Sequence, residues 1–217
     1  MTQCHPEVIF SMPKSTFFNI IEGKRNQLIQ VGVELFSKHD FENIDVKMIV
    51  DYAQIPRGSF YAYFTDIEDY YSYIIEQLQT QRIKEIALLA KDFEKDFFEF
   101  LKFMYEYDIK KIQEKSRRLL LHHYFRYIQT KKKGSLSGTI YHLEKHNNVM
   151  SILLSLPIIC DSGEELTKEE KIFIADLSMT IYLATYNKAV QEDLDLNGHL
   201  NLFKKRIKII ERGTKSC

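Results

Sequence analysis

Apolar residues recur at spacings of three and four along almost the whole chain, and strand-like alternation is scarce. Only 8 Gly and 4 Pro interrupt its 217 residues. The pattern implies an all-α fold, because amphipathic helices with no sheet to cover must bury their stripes against one another. A hydrophobic content of 45% is ample for a core in a chain of this length.

The pattern divides into helices at recognisable punctuation. Residues 24–38 place Leu28, Val31, Leu35 and Phe36 on one face, and HDFENI then breaks the helix. Asp45 is a suitable N-cap for VKMIVDYA, whose apolar stripe is Val46, Ile49, Val50 and Ala53. Pro56 biases Ile55 away from helical geometry, which makes Ala53-Gln54-Ile55 a turn and starts a third helix at Pro56. After Phe64 comes a run of about 25 residues, with Ile67, Tyr71, Ile74, Ile75, Leu78, Ile86 and Leu89 in register, long enough to span about 38 Å. Further helices are expected at about 94–113, 114–130, 137–156, 167–192 and 197–211, separated by short breaks rich in Gly, Pro or Asp.

The third helix carries the densest chemistry. In IPRGSFYAYF, Ile55 to Phe64, a 100° wheel puts Phe60 and Phe64 on one face. Gly58, Ser59 and Ala62 lie opposite, with Tyr61 and Tyr63 on the flanks. Two phenylalanines facing inward and small residues facing outward let the backbone approach another surface, where tyrosine and serine hydroxyls can bond phosphate oxygens. Arg57 at the tip is long enough to reach a guanine edge. Four aromatics can also form nothing more than a wide core face. The succession of short helix, turn, short helix and long helix favours a helix-turn-helix over residues 45–64.

Residues 24–78 resemble the DNA-binding domain of the tetracycline-repressor (TetR/AcrR) family of bacterial transcriptional regulators. IPRGSFYAYF is the most specific part, and Leu35–Phe36, Ile49 and Ala53 fall where that family's pattern expects them. The resemblance implies an N-terminal helix-turn-helix domain at 20–80, joined by a long helix to a C-terminal bundle at 81–217 for ligand binding and dimerisation. It implies a homodimer on a pseudopalindromic operator, released by a small-molecule effector. Carried over by position, the DNA contacts fall on Lys47, Arg57, Gly58, Ser59, Tyr61, Ala62 and Tyr63, the tyrosines on phosphates and Arg57 with Ala62 toward bases. This chain departs from the pattern at three places: Gln54 replaces the usual turn glycine, Asp40 a glycine before Phe41, and Ile67 a phosphate-holding lysine. Residues 1–64 hold six Lys and Arg against seven Asp and Glu, so recognition has to lean on neutral donors and a modest salt dependence. Pro13 to Phe18 supplies either an arm reaching DNA through Lys14 or an ordered lid over the helix at 24–38.

In the C-terminal part, Ile174, Leu177, Ser178, Ile181, Ala184 and Thr185 lie along one side of a long helix, as a dimer seam or as intramolecular core. The resemblance implies dimerisation through the final helices. An aromatic-rich stretch offers Phe103, Tyr107, His123, Tyr124 and Tyr127 as ligand-binding candidates, or as plain core.

The sequence contains no E-x-x-H, G-x-S-x-G, P-loop or dinucleotide fingerprint, so no enzyme and no cofactor is expected. His142 and His146 share a helical spacing without a third ligand, so no metal is expected either. Three widely separated cysteines, the absence of a secretory leader pattern and an apolar run of only ten residues (151–160) point to a cytoplasmic chain without a membrane segment. Outside transcription, the competing reading is an all-helical protein-interaction module that does not bind DNA.

Overall fold

Side chains at three- and four-residue spacing meet on one helix face, and among the described residues the structure is helical where that spacing holds. The structure, a computed structural model, describes residues 13–91, 96–131, 147–158, 160–163, 166–192 and 195–216. Its helices are α1 (Ser15–Phe18), α2 (Glu22–Lys38), α3 (Val46–Ala53), α4 (Arg57–Tyr63), α5 (Ile67–Lys91), α6 (Phe97–Lys111), α7 (Lys115–Lys131), α8 (Asn147–Ser155), α9 (Lys168–Gln191) and α10 (Leu196–Lys215). Among the described residues there is no strand. The stretch 137–146 of one expected helix, His142, His146, Cys4 and Cys217 lie outside them. The chain forms two compact units, one ending at Thr80 and the other beginning at Gln81.

In the first unit, α2 buries Leu28, Val31, Leu35 and Phe36, and α3 buries Val46, Ile49, Val50 and Ala53, the two stripes read from the sequence. Asp45 caps α3 by accepting from the Met48 amide at 2.7 Å. Gln54 ends α3 in the left-handed region, at φ 51° and ψ 47°. The Ile55 amide then bonds back to the Val50 carbonyl at 3.1 Å, a turn that closes the helix C-terminus and redirects the chain into α4. At Asp40 the backbone has φ −61°, which any residue adopts, so only one of the two missing glycines leaves strain behind.

Aromatic rings fill the space between these helices and the start of α5. Phe36 lies 4.2 Å from Tyr71, and Phe64 lies 4.9 Å from Tyr70, measured between ring centroids. The Tyr70 hydroxyl donates to the Leu28 carbonyl at 2.6 Å, and burial pushes that phenol far above its ordinary value. Thr65 and Asp66 start α5: the Thr65 amide donates to Asp69, and the Asp69 amide to Asp66. Along α5 the buried set includes Tyr71, Ile74, Ile75 and Ile86 as expected, but Leu89 is exposed.

The second unit is built around α6, α9 and α10. Tyr105 of α6 stacks on Phe203 of α10 at 3.8 Å and meets Tyr182 of α9 edge-on at 5.1 Å. Next to this aromatic layer, Arg82 donates to both Asp108 oxygens, and the Tyr182 hydroxyl donates to the same carboxylate. Burial works against the Arg82 charge, but Asp108 outweighs it and holds the guanidinium well above its ordinary value. Thr167 opens α9 with a capping box shared with Glu170.

The stripe expected as a dimer seam divides in the structure. Ile174, Ser178 and Thr185 are buried inside the unit, Ile181 and Ala184 are half-buried, and Leu177 is exposed. The large apolar residues that α9 and α10 expose are Ile172, Phe173 at 69%, Leu177 and Ile209 at 72%. Ile174, Ser178 and Thr185 thus serve as core of the unit, the second of the two expected roles, while Leu177 of the same stripe and its neighbours Ile172 and Phe173 face outward.

Candidate nucleic-acid interface

The proline that starts α4 and the two phenylalanines that end its inner face determine what the helix shows. Pro56 accepts the Ser59 and Phe60 amides through its carbonyl, and Phe60 and Phe64 are fully buried. Arg57, Gly58, Tyr61 and Ala62 are exposed and Ser59 is half-buried, so the wheel read from the sequence is reproduced except at Tyr63, which is buried instead of flanking. Lys47 is exposed on α3. Tyr63 sits differently from Tyr61. It keeps only 8% exposure, with its ring edge-on to Phe17 at 5.9 Å, while Tyr61 is 41% exposed.

A methyl group added at Gly58 would meet nothing within 4 Å. Nothing inside the protein therefore requires glycine there. Arg57 lies over the Tyr61 ring, 5.8 Å from its centroid and one turn away. A hydrogen bond to Tyr61 raises the Arg57 guanidinium above its ordinary value, although an arginine at the exposed tip of α4 is a cation at any ordinary pH without it. Ile67 is half-buried and adds no charge.

Sequence reasoning missed the role of Pro13 to Phe18. The segment is ordered and is tied to the helix at 24–38 by Arg25, which donates to the Phe18 carbonyl, but its main packing is elsewhere. It forms α1 and packs on the C-terminal end of α4. The Lys14 amide donates to the Tyr63 carbonyl at 2.8 Å, the Lys14 amine to the Tyr61 carbonyl at 2.7 Å, and the Thr16 hydroxyl to the Ala62 carbonyl. Phe17 is fully buried against Phe64 and Tyr73, at 4.9 and 5.0 Å. The only signal available was Phe17 itself, a large apolar residue upstream of the first long stripe.

In the second unit the five ligand-binding candidates differ in exposure. Phe103 is exposed, Tyr107 donates to Glu85 with Lys111 over its ring, Tyr124 is buried, and His123 and Tyr127 are half-buried. A groove of about 490 Å³ lies instead between α9 and α10, lined by Leu166, Glu169, Glu170, Phe173, Ile174, Gly213 and Thr214. None of the five candidates lines it. Among the described residues, no group of three or more His, Cys, Asp or Glu is placed to hold a metal, and no helix is long and apolar enough to cross a membrane.

Residues 28–71 match the family model described as bacterial regulatory proteins, tetR family. No curated protein sequence matches the chain significantly. Solved structures share its fold. The fatty acid degradation regulator FadR from Bacillus halodurans superposes with a TM-score of 0.65 at 16% identity, covering 92% of this chain and 100% of that one. A transcriptional regulator from Aquifex aeolicus VF5 gives 0.60 at 17% identity, covering 87% and 99%. A TetR family transcriptional regulator from Chloroflexus aurantiacus J-10-FL gives 0.53 at 19% identity, covering 93% and 98%. The all-α fold with an N-terminal helix-turn-helix is therefore a TetR-like fold along most of the chain.

Proposed function

With a TetR-type helix-turn-helix and a TetR-like fold as premise, we propose that this protein is a DNA-binding transcriptional regulator that acts from the cytoplasm as an effector-responsive repressor. The observation that carries the reading is the division of α4. Phe60 and Phe64 lock one face into the core, while Arg57, Gly58, Tyr61 and Ala62 are exposed on the other. A helix so held can enter the major groove, with Arg57 and Ala62 toward base edges and Tyr61 toward phosphates. Lys47 of α3 and Ser59 add backbone contacts, and Tyr63 contributes from the margin.

One such helix reads only a few base pairs, so a homodimer on a pseudopalindromic operator supplies the rest. Exposed Phe173 and Leu177 on α9 and Ile209 on α10 support a second copy docking on these helices. An effector bound in the second unit acts on DNA affinity through α5, the continuous helix that belongs to both units. A gel shift on the promoter region beside the protein's own gene tests the reading. The wild-type chain shifts that DNA, Tyr61→Phe weakens the shift and Arg57→Ala weakens it further. An undiminished shift by a variant lacking residues 45–64 contradicts it.

A further inference from the structure

A helix of seven residues is barely two turns, and the carbonyls of its last turn have no donors within the helix. In α4 three successive carbonyls, those of Tyr61, Ala62 and Tyr63, are taken up by two residues of α1's entry, Lys14 and Thr16. Two of these three residues, Tyr61 and Ala62, carry the exposed side chains that the proposed function points at DNA. The Lys14 ammonium also places a positive charge at the negative end of the helix dipole. Phe17, fully buried against Phe64, fastens the segment from below, and Arg25 closes it from α2 by donating to the Phe18 carbonyl at 2.7 Å.

We propose that Pro13 to Phe18 is a strap that sets the pose of the recognition helix, with Lys14 and Thr16 as positioning residues for DNA binding. The inference rests on the DNA-binding reading and extends it to residues that precede the family match at 28–71. The strap acts on the backbone: without it, the last turn of α4 frays and Tyr61 and Ala62 lose their aim. Lys14 works through the Tyr61 carbonyl and not on a phosphate.

The test uses the full chain and a DNA duplex that the wild-type protein has selected from a randomised pool. Affinity is measured by fluorescence anisotropy across a salt series, alongside the melting temperature, for Thr16→Val, Thr16→Ser and Lys14→Met. Thr16→Val and Lys14→Met are expected to weaken binding roughly tenfold in a dimer that loses the bond twice. Thr16→Ser, which keeps the hydroxyl, is expected to restore wild-type affinity. Melting temperatures stay within a few degrees, and the salt slope of Lys14→Met stays at the wild-type value. Wild-type affinity in both disruptive variants, failure of serine to rescue, or binding lost only in step with the folded fraction overturns the proposal. So does a slope that falls by roughly 0.9 per protomer in Lys14→Met, which marks Lys14 as a phosphate contact. If the wild-type chain selects no duplex, the DNA-binding reading fails and takes the strap's role with it. Selection by wild type with unimpaired variants defeats the strap alone.

Discussion

Gly32 and Gly58 are both helical, and an added methyl group meets opposite surroundings at the two. At Gly32 it would lie 2.6 Å from Cγ1 of Ile74 and 2.8 Å from the Tyr70 hydroxyl, both side chains of α5. Gly32→Ala is therefore expected to destabilise the fold by about 1–2 kcal/mol, read as a lower urea midpoint. At Gly58 the methyl group meets open space, and alanine is the better helix former. Gly58→Ala should leave the urea midpoint equal or slightly higher while weakening DNA binding, measured by anisotropy on a selected duplex. Equal DNA affinity in that variant would remove the reason given for the glycine. The sequence distinguished Gly58 through its place opposite Phe60 and Phe64. It was silent on Gly32, because a close approach between helices depends on a partner that periodicity does not name.

Element by element, stripes and caps carried most of the information. Asp45, Pro56 and the four apolar residues of α3 each act locally, so their roles follow from spacing alone. Asp108 shows where local reading stops. It falls on the same face as Leu101, Met104, Tyr105 and Ile112, a position where a carboxylate needs a partner, but Arg82 lies on another helix. The strap escaped notice for the same reason, since hydrogen bonds to carbonyls across more than forty residues leave no pattern in the sequence.

At the opposite end of α6, Asp96 caps the helix through the Glu99 amide and accepts from Lys215 of α10. Burial pushes the Asp96 carboxyl up, but Lys215 and the amide outweigh it and hold it below its ordinary value of 3.8. Its folded-state value is thus lower than its unfolded one. The stability it adds is full above the unfolded value and is lost as pH falls through the folded one. The melting temperature should accordingly fall below about pH 4, and Lys215→Met should make that fall shallower.

Over the whole molecule, the fold class was legible because helical spacing persists from end to end. The apolar side that α9 leaves exposed was not, because a helix packed in several directions carries apolar residues on more than one side, and spacing does not tell which neighbour covers which. Phe173 stands out, and Leu177 separates from its stripe, only once Ile174 and Ser178 are seen to be buried. Phe173→Asp is expected to shift the protein from dimer to monomer in sedimentation velocity, with its helix content retained. A dimer that survives this change places the interface elsewhere.

The central claim is that the exposed face of α4 reads DNA sequence. Repeated selection of duplexes from a randomised pool by the full-length protein, followed by sequencing, tests it most directly. The account predicts enrichment of a two-fold symmetric site whose half-sites lose their preference at one position in Arg57→Ala. A pool that remains random after selection, or an Arg57→Ala variant that enriches the same site with the same preference at every position, would contradict it.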